Sequence, residues 1–254
     1  MITLLADKWA FLLFFCVIYW CIDKKLGYGI GVTLLFSTCV NSLIKEHFKA
    51  PRPFETLDID AFGKETAGGY SFPSGHSQSA SSFFTYLSLK TSKKMIAFGI
   101  LFTVLVAASR LYLGVHWPKD VIYGITVGMI VSGFLYVADR LTNEFLMGCL
   151  ALLVTVILFF TPFSRNQDFT NAAWAIIGIT AGRLFEILYV GFGPARTVIA
   201  AAGRMFFGLI VTAATFVAIY YFFKPYPFLY FTISCFVATG LVPLAFEKEI
   251  KRYY

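Results

Sequence analysis

Three short polar clusters hold the residue types from which phosphoester chemistry can be built. They are Lys45-Glu-His-Phe-Lys-Ala-Pro-Arg52-Pro53, Pro73-Ser74-Gly75-His76, and the stretch from Ser109-Arg110 through His116 to Asp120. Breaking a phosphoester needs the phosphoryl charge neutralised, a nucleophile aligned with phosphorus and a proton for the departing oxygen. Lys45, Arg52 and Arg110 supply cations, and each guanidinium can fork onto two phosphoryl oxygens. Taken singly, these cations would read as snorkelling or topogenic charge; two histidines returning to the same face reverse that reading.

Ser74, Gly75 and His76 are expected to open a helix, whose unsatisfied N–H groups and positive dipole end favour an anion. Gly75 would let that backbone approach a phosphate closely, whereas Ser74 alone would be an ordinary N-cap behind a proline. His116 and Asp120 lie four apart with Pro118 between them at an expected first helical position, so both fall on one face of a helix entry. A carboxylate bonding one imidazole nitrogen fixes the tautomer and leaves the other nitrogen as a nucleophile. A lone pair at this spacing would more often be a capping Asp beside an interfacial His. Trp117 reads as interfacial packing, His47 and Lys49 as loop residues near the headgroup, and Glu55, Asp58, Asp60, Lys64 and Glu65 as a solvated loop without EF-hand spacing.

The elements that must position these clusters are membrane helices. Of 254 residues, 58% are hydrophobic and only 14% charged, with a mean hydropathy of +0.74, which excludes a soluble globular domain and intrinsic disorder. At about 20 residues per crossing, polar punctuation divides the chain into about nine candidate spans: 2–21, 26–44, 76–89, 95–109, 121–138, 145–160, 169–190, 197–222 and 228–246. The third, SQSASSFFTYLSLK after His76, is too polar to face lipid on all sides and must sit among other helices. The first run ends in YWCIDKK, as a retained span would and a cleaved leader would not. Cys16, Cys21, Cys39, Cys149 and Cys235 lie in apolar runs without metal or redox spacing and read as small hydrophobes.

The net charge of +7 alternates by loop and forms no patch suited to nucleic acid. Lys24, Lys25, Lys90, Lys93, Lys94, Arg140, Arg196, Lys248, Lys251 and Arg252 collect on one face. That places this face in the cytoplasm and the 45–75 loop outside. The expected localisation is therefore the plasma membrane, with the site on the non-cytoplasmic face.

The three clusters together resemble the three-part signature of the type 2 phosphatidic acid phosphatase (PAP2) family, which includes vanadium haloperoxidases. Every fixed position is filled, over about residues 26 to 138. The resemblance implies an all-α catalytic helical core, which with the N-terminal span takes up 1–141 of the polytopic bundle; residues 142–254, about four further spans, carry no such signature and are expected to form a C-terminal membrane extension. It implies that His116 attacks phosphorus to give a phosphohistidine, that His76 protonates the leaving oxygen, and that Asp120 orients His116. Lys45, Arg52, Ser74, Gly75 and Arg110 would hold the phosphate, and no metal or other cofactor is implied.

The expected substrate is a membrane lipid phosphate or diphosphate, such as undecaprenyl diphosphate, phosphatidic acid or a sphingoid phosphate. A soluble sugar phosphate, or a lipid transporter or scramblase, is the alternative; a vanadate-dependent oxidase is disfavoured by the composition. Arg183 and Glu186, within the seventh span, are expected to form a structural ion pair with Arg204 as partner, far from the site. Gly178, Gly182, Gly191 and Gly193 are expected to serve close helix packing.

Overall fold

The computed structural model describes residues 8–57, 61–62, 64 and 67–246. The expected residues Asp58, Asp60, Glu65, Lys248, Lys251 and Arg252 lie outside these. Among the described residues the chain is helical, without a strand. Helix α1 (Lys8–Val17) continues into a π-helical turn at Ile18–Ile22. It is followed by α2 (Lys24–Phe48), the short α3 (Pro53–Thr56), α4 (Gly75–Lys90), α5 (Lys93–Tyr112) and α6 (Pro118–Leu141). The second half holds α7 (Glu144–Phe159), α8 (Gln167–Tyr189), α9 (Val198–Phe223) and α10 (Pro227–Phe236), which runs into a second π-helical turn at Val237–Leu241.

Over its described residues, each expected span overlies one of these segments. Among the described residues six are long and apolar enough to cross a membrane, Trp9–Ile22 and Glu144–Phe159 are shorter apolar helices, and the polar α4 makes the ninth. The helices overrun the expected ends: Lys45 lies in the last turn of α2, and Arg110 lies in the last turn of α5, past the expected end at Ser109.

Helix α4 packs against α2, α5 and α6, and its polar side chains are met there. Gln78 Nε2 donates to both the carbonyl and the hydroxyl of Ser37 at 2.8 Å, and Asn41 Nδ2 donates to Gln78 Oε1 at 2.8 Å. Ser81 donates to the Ile125 carbonyl and Ser132 to the Ser82 carbonyl. Such pairing is required where no water reaches, because each orphaned polar group in a bilayer costs several kcal/mol, on the order of 2–7. The approach of α6 to α4 depends on two glycines. A Cβ on Gly124 would stand 2.6 Å from the Ser74 carbonyl oxygen, and one on Gly128 would stand 2.6 Å from that of Gln78.

In the second half, Gly178 and Gly182 let α8 meet α10 and its π-helical turn, as expected of packing glycines. Gly191 and Gly193 instead lie in the loop between α8 and α9, where Gly191 has φ 65° and open space around it. The two π-helical turns face each other, with Tyr19 donating to the Thr239 carbonyl and Trp20 to that of Ala238. The buried apolar cluster runs across residue 141, joining Tyr28, Val131 and Leu135 to Met147, Phe169 and Ile176.

The Arg183–Glu186 pair forms as the spacing predicts, and it recruits Lys24 on Glu186 (2.6 Å) and Glu144 on Arg183 (2.8 Å). It therefore ties α2, α7 and α8 together at the end of the bundle remote from Lys45. Arg204 clasps the carbonyls of Trp20 and Gly193 and lies over the Phe246 ring at 4.8 Å. The cysteines are free.

The glycine contacts predict a contrast within one helix. Gly124→Ala should lower the stability of the detergent-solubilised protein by about 1–3 kcal/mol through overpacking. Gly133→Ala, whose Cβ meets nothing within 4 Å, should be neutral or stabilising by up to about 1 kcal/mol. Thermal unfolding of the two variants checks this, and equal effects would contradict the proposed packing of α4 on α6.

Candidate active site

Two copies of one local device present the key side chains. In Arg52-Pro53-Phe54-Glu55, the proline opens α3 and the Glu55 carboxylate accepts the N–H of Arg52 at 2.7 Å. In Trp117-Pro118-Lys119-Asp120, the proline opens α6 and the Asp120 carboxylate accepts the N–H of Trp117 at 2.9 Å. Proline suits the first helical position because its missing N–H would be unpaired there anyway, and an acid two residues on satisfies the N–H before it. Glu55, expected to be merely solvated, is thus a cap that sets the backbone of Arg52.

Arg52 is buried, and each of its five N–H groups has a partner. Nε donates to the Gly69 carbonyl (3.0 Å), Nη2 to those of Gly68 (2.8 Å) and Tyr70 (3.3 Å), and Nη1 to that of Val115 (2.8 Å). The remaining Nη1 donor faces Nε2 of His116 at 3.4 Å. Lys45 Nζ reaches the same Tyr70 carbonyl at 2.8 Å, so the two cations share one oxygen. Beyond them, Lys49, Pro51, Phe54, Glu55, Lys64 and Tyr70 line an open cleft of about 540 Å³.

His116 lies in the five-residue connection between α5 and α6, 5% exposed, with Nδ1 3.4 Å from Asp120 Oδ2. The same oxygen accepts from the Ser71 hydroxyl, while Oδ1 is buried and has no hydrogen-bond partner among the described residues. A carboxylate on Nδ1 and a cationic donor on Nε2 fit one tautomer, with the proton on Nδ1 and the lone pair on Nε2. Burial pushes the His116 ring down, the bond to Asp120 opposes this, and the charges of Arg52, Lys45 and Arg110 lower it further, to about 4. The ring is therefore held in its neutral form, the form that a nucleophilic imidazole would need.

Ser74 caps α4, and its N–H donates to the main-chain carbonyl of Asp120 at 2.9 Å, which fastens the start of α4 to the start of α6. His76 stands one residue into α4, half-buried, within electrostatic reach of Arg110, His116, Lys45 and Arg52. Arg110 is fully buried in the last turn of α5. A Cβ on Gly75 would meet only Asn41 Oδ1, at an ordinary 3.5 Å, so the fold itself does not demand glycine there. Lys45, Arg52, Ser74, Gly75, His76, Arg110, His116 and Asp120 thus occupy one end of α2, α4, α5 and α6.

Sequence reasoning missed Ser71, Asn41, Gln78 and the carbonyls of 68–70. Ser71 carries no signal beyond being a polar residue between Tyr70 and Phe72, and main-chain acceptors leave none at all. Also unforeseen is the contact from the second half, where Asn166 before α8 donates to Glu46 at 2.8 Å, beside Lys45. Among the described residues, no three His, Cys, Asp or Glu side chains form a group that could hold a metal ion.

Comparison with known proteins matches residues 26–143 to the PAP2 superfamily. An undecaprenyl-diphosphatase of Sulfolobus acidocaldarius is 37% identical over 109 residues, covering 43% of this chain and 53% of that protein. Phosphatidylglycerophosphatase B of Bacillus subtilis is 33% identical over 128 residues, covering 44% and 60%. A lipid A 4'-phosphatase of Porphyromonas gingivalis is 31% identical over 147 residues, covering 52% and 62%. The chain thus spans about half to three-fifths of these relatives' lengths. No solved structure gives a significant match.

The surroundings of His116 predict that its ring titrates near 4 rather than at its ordinary 6.5. Arg52→Ala, which deletes one lowering charge, should raise that midpoint. Ring ¹⁵N NMR of the solubilised protein follows both, and a parental midpoint near 6.5 would mean that the ring is open to water.

Proposed function

We propose, from the match of residues 26–143 to the PAP2 superfamily, that the chain is an integral-membrane phosphatase acting on a lipid phosphate or lipid diphosphate. The observation that carries this reading is the neutral, Asp120-held imidazole of His116 set among Lys45, Arg52 and Arg110 at the amino end of α4. Nε2 of His116 attacks phosphorus, the bond to the leaving oxygen breaks, and its electron pair takes a proton from His76. Water then attacks the phosphohistidine, giving its proton to His76, and the P–N bond breaks to release phosphate. The cations and the N–H groups of α4 stabilise charge on the equatorial oxygens in both steps.

A lipid substrate is supported by the outer wall of the site. Phe48, Phe72 and Tyr123 form a ladder of edge-on rings 5.0 and 5.1 Å apart beside Ser71, with Phe48 59% and Tyr123 55% exposed. An aromatic flank of this kind suits the membrane interface and would let an acyl or isoprenyl tail stay in lipid while its phosphate enters. The named substrates of the relatives, undecaprenyl diphosphate and lipid A among them, fit that description. The site end faces the non-cytoplasmic side of the plasma membrane. Lys24, Lys25, Lys90, Lys93, Lys94, Arg140 and Arg196 gather at the opposite helix ends, where the positive-inside rule puts the cytoplasm.

Purified protein in detergent should release phosphate from at least one member of a panel of lipid phosphates and diphosphates. His116→Ala should abolish release, and Asp120→Asn should lower it by about 100-fold or more, as loss of the orienting carboxylate does in an Asp-His pair. Release that survives in His116→Ala would remove the phosphohistidine from the reaction.

A further inference from the structure

Ser71 touches the His116–Asp120 pair, and the reaction above gives it no task. Its side chain is fully buried and it is held at both ends, its N–H on the Ala50 carbonyl at 2.9 Å and its hydroxyl on Asp120 Oδ2. Three residues later, Ser74 binds the main-chain carbonyl of the same aspartate. One loop thus grips Asp120 by carboxylate and backbone together.

The carboxylate is loaded unevenly. Oδ2 accepts from Ser71 and from the Trp117 N–H and faces His116, whereas Oδ1 is buried without a hydrogen-bond partner among the described residues. A cap alone needs only the Trp117 bond, which either oxygen could accept after rotation about Cβ–Cγ. An arrangement built for stability would spread the donors, since an unpaired buried acceptor is costly. Concentrating them on one oxygen fixes the rotation of the group.

Resting on the reading of His116 as nucleophile, we propose that Ser71 is a positioning residue for the reaction. Its hydroxyl fixes the Asp120 carboxylate with Oδ2 toward Nδ1 of His116, which keeps the proton on Nδ1 and the lone pair on Nε2. The hydroxyl donates and takes no part in bond making.

The test compares Ser71→Ala and Ser71→Thr in the full chain. Ser71→Ala should lower kcat about 10- to 100-fold, a range typical of groups that orient a reacting ligand, with KM within about twofold, and Ser71→Thr should restore most of the loss. In an Asp120→Asn background, Ser71→Ala should add little, because both act through one carboxylate. With 3 histidines in the chain, ring ¹⁵N shifts of His116 are assignable by single replacement. They should show one tautomer in the parent and a mixture in Ser71→Ala. Parental ring shifts in Ser71→Ala, a loss confined to KM, or a loss that adds fully to that of Asp120→Asn would overturn the proposal. If the parent hydrolyses nothing in the panel, the proposed function fails, and the ring shifts alone decide the role of Ser71.

Discussion

The site depends on how Asp120 is bonded. Its carbonyl holds Ser74, the N-cap of α4, and its carboxylate holds the α6 start, Ser71 and His116. Two stretches far apart in sequence, 71–74 and 116–120, therefore share one residue's oxygens. Their relative placement then follows from bond lengths rather than from loop stiffness, which matters because a misplacement of about 1 Å is costly to any reaction. Gly124, one turn along α6, makes this possible by letting the α4 backbone come within touching distance.

A second constraint shapes the rest of the bundle. Polar groups below the headgroups must find partners within the protein, and the two ends of this molecule meet the requirement differently. Near the site, neutral amides and hydroxyls of α2, α4 and α6 pair with one another and with carbonyls. At the far end, full charges pair across α2, α7 and α8. Breaking a buried pair by removing one partner typically costs about 3–5 kcal/mol, so Arg183 and Glu186 anchor the second half to the first. The contact of Asn166 with Glu46 does the same at the site end, which makes the second half a wall for the first.

The sequence allowed the helices and the cluster of site residues to be anticipated for different reasons. Spans are long apolar runs bounded by charge, and even α4 was betrayed by serines that no lipid-facing helix would carry. The three clusters could be brought to one face by counting crossings. Ser71, Glu55 and the 68–70 carbonyls were not legible. A serine's partner forty-nine residues away leaves no local trace, and main-chain acceptors leave none in principle. Glu55 could have been found, since the proline and acid after Arg52 repeat those after Trp117. Lys24 and Glu144 were hidden by distance in sequence, and Gly191 was misjudged because a turn glycine and a packing glycine look alike without the fold.

The saturation of Arg52 bears on how an anion is chosen in a crowded interface. A guanidinium whose five donors already rest on carbonyl oxygens and an imidazole gains nothing from a neutral ester group, which offers it only another carbonyl. A doubly charged terminal phosphate offers more than any carbonyl can, and a phosphodiester carries half that charge behind two ester arms. On the proposed function, the resting pocket therefore sets a threshold of ligand charge. Under that reading, glycerolipid ester groups, present in great excess at the headgroup level, fall below it, and the rarer terminal phosphate rises above it.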